Sequence, residues 1–193
     1  MIMEIDKIKE SILKAAQDLF RKYGYHKTSV NEIAKKAKIA KATLYKYFES
    51  KEVLLHYILM DFIRISVNEI IEKGAEETDK EAYLSNLILE TSRLSYTICN
   101  EFIGWDFIRE STNAQGFLKL LSDDLEVFLI QSYRETHLVK GDAHYAEKLR
   151  FLIKSSKAIV FSFAFTSVTD SDVRKHFVSF QKEILPYLVK AAI

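Results

Sequence analysis

Ser29-Val-Asn-Glu-Ile-Ala-Lys-Lys-Ala-Lys-Ile-Ala-Lys-Ala-Thr-Leu-Tyr-Lys-Tyr-Phe48 is the stretch that decides the fold. It divides into two short helical segments, about Val30 to Ala37 and about Lys41 to Phe48, joined by a tight turn. Ile33, Ala37, Ile39, Leu44 and Tyr47 recur at helical spacing and face inward together if the two helices cross steeply. Ala34 is small where the pair comes closest. Ser29 followed three residues later by Glu32 is a capping box, which fixes where the first segment begins. This is the pattern of a helix-turn-helix, whose second helix lies in the DNA major groove.

Charge supports a polyanion partner for this end of the chain. The net charge is +1 over 193 residues. Residues 1–56 carry 12 Lys+Arg against 7 Asp+Glu, and residues 57–193 carry 16 against 20. From Arg21 to Phe48 there are eight basic residues and one acid, Glu32. A basic unit on an acidic body fits nucleic acid at the first part only. A solvated lysine-rich face would give the same count.

Around the central stretch the periodicity predicts an all-α protein of about nine helices. With 48% hydrophobic residues, 5 Gly and 1 Pro, the chain favours long helices and a real core. The first helix is expected from about Glu4 to Tyr23, ended by Gly24. Ser50 is expected to cap a fourth helix through Ile71, with Leu55, Ile58, Phe62 and Ile65 on one stripe. Asp79 would cap the fifth. A short sixth helix is expected over about Glu101 to Glu110, and a seventh from Gln115 to Thr136. Gly141-Asp142 would open the eighth, about Ala143 to Ser167. Ser171 would cap the ninth, which Pro186 should kink or end because it lacks a backbone donor. No run of eighteen apolar residues suggests a membrane span, the N-terminus has no apolar signal core, and a cytoplasmic location is expected. Cys99 is single, and no Cys/His spacing suggests zinc or another metal; no cofactor is expected. The five His are scattered and no phosphate loop appears, so the residues do not point to an enzyme.

The sequence resembles the tetracycline-repressor (TetR) family of bacterial regulators. The resemblance rests on Ile12-Leu-Lys-Ala-Ala-Gln-Asp-Leu-Phe20, Tyr23-Gly-Tyr25, Thr28-Ser-Val-Asn-Glu-Ile-Ala34, Thr43-Leu-Tyr-Lys-Tyr-Phe48 and Ser50-Lys51. It covers about residues 4–60. It implies a three-helix DNA-binding domain at 4–60, with its helix-turn-helix at about 29–48, and a ligand-binding and dimerisation domain at 61–193. By position, Lys41, Ala42 and Thr43 would point at base edges or nearby phosphates. Tyr45 would touch backbone or a thymine methyl, and Lys46 would face the DNA beside it. Tyr47, Ser29, Asn31 and Lys51 would meet phosphate. Three positions depart from the family's usual pattern. Lys38 stands where the turn usually has Gly, Ala40 where a capping Ser is common, and Ala42 where Gly is common.

Beyond residue 65 the likeness is only in size and helical pattern. The aromatic cluster Phe102, Trp105 and Phe107, with Asp106 among its acids, is one candidate ligand site, and Phe128 and Phe161 are further lining candidates. A cationic aromatic ligand would suit the cluster. Ordinary core explains any single one of these aromatics as well. Helix eight, Ala158-Ile-Val-Phe-Ser-Phe-Ala-Phe-Thr166, is apolar nearly all round, as a helix buried on more than one side would be. Ile159 and Phe163, with Phe177, Phe180 and Ile184 of helix nine, are expected at a homodimer interface, mainly on the resemblance. The expected partners are a double-stranded DNA operator, a small-molecule effector and a second copy of the chain, with no membrane. A helical-bundle interaction protein without DNA binding is the alternative.

Overall fold

The computed structural model describes residues 2–105, 108, 114–136 and 143–193. Among them there are α-helices and two π-helical turns, and no strand. The α-helices are α1 (Ile2–Tyr23), α2 (Val30–Lys36), α3 (Lys41–Tyr47), α4 (Lys51–Lys73) and α5 (Lys80–Ile98), then α6 (Ala114–Arg134), α7 (Ala143–Thr166), α8 (Asp170–Ser179) and α9 (Leu185–Ala192). The π turns are Cys99–Ile103, which prolongs α5, and Phe180–Ile184, which joins α8 to α9. Much of the expected sixth helix, and the Gly141-Asp142 cap, lie outside the described residues.

Two compact units arise from an interleaved chain. The first is Met1–Phe62 with Thr97–Leu121; the second is Ile63–Tyr96 with Ser122–Ile193. In the first, α1 buries Ile12, Ala15, Ala16 and Phe20 on one helical stripe. Gly24 at φ +80° then turns the chain, and its N–H reaches the Phe20 carbonyl at 2.8 Å. A side chain would be strained there. Thr28, buried, donates its hydroxyl to the carbonyl of Gly24 at 2.9 Å, which closes the loop between α1 and α2. Residues far along the chain complete this unit. Tyr25 donates its N–H to the Phe102 carbonyl at 3.0 Å, and the Tyr25 and Phe117 rings stack with centroids 6.4 Å apart. The π turn ends at Gly104, φ +90°, whose N–H bonds the Cys99 carbonyl at 2.9 Å. Burial pushes the Cys99 thiol up to about 12, so it stays protonated and inert.

In the second unit, α5 and α6 meet through a buried polar relay. Thr91 donates its hydroxyl to the Leu87 carbonyl at 2.7 Å, and the buried Tyr133 hydroxyl donates to Thr91 Oγ1 at 2.9 Å. Both hydroxyls are thereby spared the cost of an unmet hydrogen bond. Asp79 caps α5 as expected, its Oδ1 accepting from Ala82 N–H at 2.7 Å. For α8 the cap is Thr169, two residues before the expected Ser171, because Thr169 and Asp172 form a reciprocal capping box. Pro186 sits in the first turn of α9, where a missing N–H has no intrahelical partner to lose. The helix therefore breaks into a π turn and restarts. α9 packs along α7 and buries Leu185, Val189 and Ala192. One expected stripe also shifts: α4 buries Leu54, Leu55, Ile58, Leu59, Ile63 and Val67, whereas Ile65 is half exposed. Apolar residues on two faces of α4 made either stripe compatible with the spacing.

Candidate nucleic-acid interface

The expected apolar lock of the helix-turn-helix is in place. Ile33, Ala34, Ala37 and Leu44 are buried, and Ile39 and Tyr47 are partly so. Ser29 caps α2 with Glu32 reciprocally: Glu32 N–H donates to Ser29 Oγ at 3.2 Å, and Ser29 N–H donates to Glu32 Oε2 at 2.8 Å. The Ser29 hydroxyl and its N–H together hold the Glu32 carboxyl below the usual carboxylate range. Ser11 on α1 donates its hydroxyl to the Ala37 carbonyl at 3.2 Å, which ties the far end of α2 to the same scaffold.

The turn itself is a helix C-terminal motif built on a lysine. Ile39 N–H bonds the Ala34 carbonyl at 3.0 Å, and Lys38 N–H bonds the Lys35 carbonyl at 3.2 Å. This doubly bonded stop requires a left-handed residue between helix and exit. Lys38 takes it at φ +57°, where a Cβ costs about 1 kcal/mol. Lys38→Gly is therefore expected to stabilise the first unit by about 0.5–1 kcal/mol in denaturant unfolding. An unchanged or lowered midpoint would show that no strain is relieved. Ala40 at the start of α3 offers no side-chain cap.

α3 presents a polar and aromatic face outward. Lys41, Ala42, Tyr45 and Lys46 are exposed and Thr43 is partly exposed. Lys41 Nζ lies 5.9 Å from the centre of the Tyr45 ring. Ser29 and Asn31 are exposed at the start of α2. This outward set is held by buried Leu44 from below and can reach a surface without rearranging the core.

Lys51 is placed differently from the phosphate contact that was expected. Its ammonium turns inward, donates to the carbonyls of Tyr25 at 3.0 Å and Thr28 at 2.9 Å, and lies 4.1 Å from the Tyr25 ring centre. Burial holds it below the usual lysine range, opposed by neighbouring Glu52. The Tyr25 hydroxyl donates to Glu52, and that bond, more than anything else, holds the Glu52 carboxyl low. Lys51 thus secures the loop that carries α2. Its inward turn and the Thr28 bonds gave no signal in the spacing, because both depend on carbonyls of a non-helical loop.

The other candidate residues separate between the two units. Phe102 and Trp105 lie in the first unit, Phe128 and Phe161 in the second, and Asp106 lies outside the described residues. The face of Phe102 already carries a cation: Arg21 Cζ is 4.8 Å from its ring centre and 5.4 Å from that of Phe62. Of the residues expected at a dimer interface, Phe163, Phe177 and Phe180 are buried within the protomer, with Phe163 and Phe177 packed edge to face at 5.3 Å. Ile159 and Ile184 are partly exposed. Phe161, Phe165 and Val178 are the exposed apolar neighbours.

An all-α chain with a basic N-terminal pair of short helices, the second turned outward, defines a helix-turn-helix protein. Residues 12–58 match the family described as bacterial regulatory proteins, tetR family. The match takes in α2, α3 and the adjoining parts of α1 and α4. It is 39% identical over 77 residues to YuxN of Bacillus subtilis, an HTH-type transcriptional regulator, an overlap of 39% of this chain and 26% of that one. It is 34% identical over 71 residues to the fatty acid metabolism regulator protein of the same organism, covering 37% of this chain and 34% of that one. These matches span about a quarter to a third of the length of those two relatives. Among solved structures, FadR from Bacillus subtilis in complex with stearoyl-CoA superposes with a TM-score of 0.55 at 17% identity, over 94% of this chain and 98% of that one. At that identity the likeness is one of fold.

Among the described residues no helix is long and apolar enough to cross a membrane. No group of three His, Cys, Asp or Glu among them is arranged to hold a metal ion.

Proposed function

We propose that the chain is a sequence-specific DNA-binding transcriptional regulator. It acts as a repressor, released from a near-palindromic operator when a small, largely apolar ligand binds the C-terminal domain. The observation that carries this reading is the outward face of α3, Lys41 to Lys46, held on a buried Leu44 within the basic segment of the chain. Residues 4–60 serve as the DNA-binding domain and residues 61–193 as the ligand-binding and dimerisation domain. The curated relatives with assigned names are regulators, and the chain is read as a regulator rather than an enzyme.

On DNA, α3 enters the major groove. Lys41 donates to guanine O6 or N7, Ala42 and Tyr45 meet thymine methyls, and Thr43, Lys46, Ser29, Asn31 and Tyr47 meet nearby base edges or phosphates. For Lys51 the proposal keeps only the backbone N–H at the start of α4, since the ammonium is engaged. Dimerisation is assigned to the exposed apolar side of α7 and α8, through Phe161, Phe165 and Val178 with the partly exposed Ile159 and Ile184. Phe163, Phe177 and Phe180 support that side from beneath.

The test is retention of the full chain on random and selected duplex DNA across a salt series. Affinity is expected to fall linearly with salt on a log–log scale, with a slope of several phosphates. Sequence selection should return inverted half-sites about one helical turn apart. A chain retained on no DNA at low salt is a helical-bundle interaction protein instead.

A further inference from the structure

The second unit contains a small cavity between α5, α6 and α7. It is lined by apolar residues such as Ile88, Leu129, Ile153 and Val160, and by hydroxyls and two charged groups, Glu126 and Lys157. Its volume is about 20 Å3, room for about one water. Three observations show that its chemistry is lopsided.

First, the carboxylate already holds two cations. Glu126, buried, takes Arg150 Nε at 3.1 Å and Lys154 Nζ at 3.6 Å on its Oε1. Second, the remaining cation faces a neutral partner. Lys157 Nζ donates to the Ser122 hydroxyl. Burial depresses its basicity, with Glu126 and Asp123 opposing and Lys154 assisting. Third, Ser156 lines the cavity at 2% exposure, and its buried Oγ has no hydrogen-bond partner among the described residues. A buried hydroxyl in that state costs free energy that a bound polar group would recover.

We propose that this cavity takes the carboxylate of a small amphiphilic acid, paired with Lys157 and hydrogen-bonded by Ser156, with its apolar chain laid along Ile88, Leu129 and Ile153. The site rests on the reading of the chain as an effector-controlled regulator and gives that effector a chemical class. A charge-assisted bond from an ammonium to a carboxylate is about twice as strong as one between neutral groups, so the half-buried ammonium gains by exchanging its hydroxyl partner for an anion. Any ligand longer than a single water must part α5 from α7. Binding and helix separation are then one event, which is what a switch requires. A cationic ligand is disfavoured, because the Lys157 ammonium, with Lys154 near it, would repel it.

The test is calorimetric titration of the DNA-free full chain with three probes of equal chain length: octanoate, octan-1-ol and octylammonium. Octanoate is expected to bind about tenfold or more tightly than octan-1-ol. Lys157→Met and Lys157→Gln should each abolish that advantage while leaving octan-1-ol within about twofold. The second variant keeps a polar tip, so it covers a folding defect specific to the first. Octanoate no tighter than octan-1-ol, octylammonium the tightest of the three, octanoate unaffected by both substitutions, or no binding by any probe would each overturn the site. DNA retention is measured separately. Loss of retention in the untreated protein would defeat the regulator reading and leave the carboxylate result standing. Octanoate that binds without releasing DNA would defeat the release mechanism only.

Discussion

Leu44→Ala is expected to destabilise the first unit by about 2–5 kcal/mol, the range for removing a fully buried leucine. Leu44 is 0% exposed and is the buried residue of α3. α3 has only seven residues, too few to persist on helix propensity alone. It persists because it packs on α2, and Leu44 is the residue it buries in doing so. The unfolding midpoint should drop sharply, and DNA retention should vanish even where circular dichroism shows the rest of the chain helical. A loss below about 1 kcal/mol would mean that neighbouring side chains refill the space, and that α3 is held by something other than this residue.

Lys41→Ala should weaken binding to the selected operator by about 1–3 kcal/mol, or roughly five- to 150-fold. Binding to random duplex should fall far less. The two effects separate because a base contact discriminates, whereas a phosphate contact does not. Lys41 is exposed at the first turn of α3. Among the described residues, its ammonium makes a loose approach to the Tyr45 ring and no hydrogen bond or ion pair that would have to be broken. Electrophoretic mobility shifts with operator and scrambled competitor at one salt concentration measure both quantities. Equal losses on both DNAs would assign Lys41 to phosphate and move base reading to Thr43 and Tyr45.

Much of the helix-turn-helix end was legible in the residues, because its determinants are local. The Ser29–Glu32 box and the inward Ile33, Ala37 and Leu44 follow from spacing within a few residues, and the burden on Lys38 follows from the family resemblance. The interior of the second unit was less legible. Periodicity shows that α7 is apolar nearly all round, but it does not say whether a second element of the same protomer covers Phe163 or leaves it for a partner. α8 covers it, through Phe177. The Arg21–Phe102 approach was hidden for the same reason. The aromatic cluster was visible and the need for a cation was visible, but the protein's own arginine supplies it from a helix distant in sequence. Both π turns escaped as well, since a one-residue widening of a helix leaves the apolar spacing on either side intact.

The N–H of Tyr25 and the carbonyl of Phe102 are partners across a long interval of chain. On the ribosome, α1 to α4 therefore emerge with Tyr25 still waiting for its acceptor. The first unit is sealed only once most of α5 and the turn after it have left the exit tunnel. A nascent chain stalled after α4 would hold its helix-turn-helix helices in an unfinished nest, with Tyr25 lacking both that carbonyl and the Phe117 ring. Order of synthesis thus delays the maturity of the helix-turn-helix end until part of the body has been made.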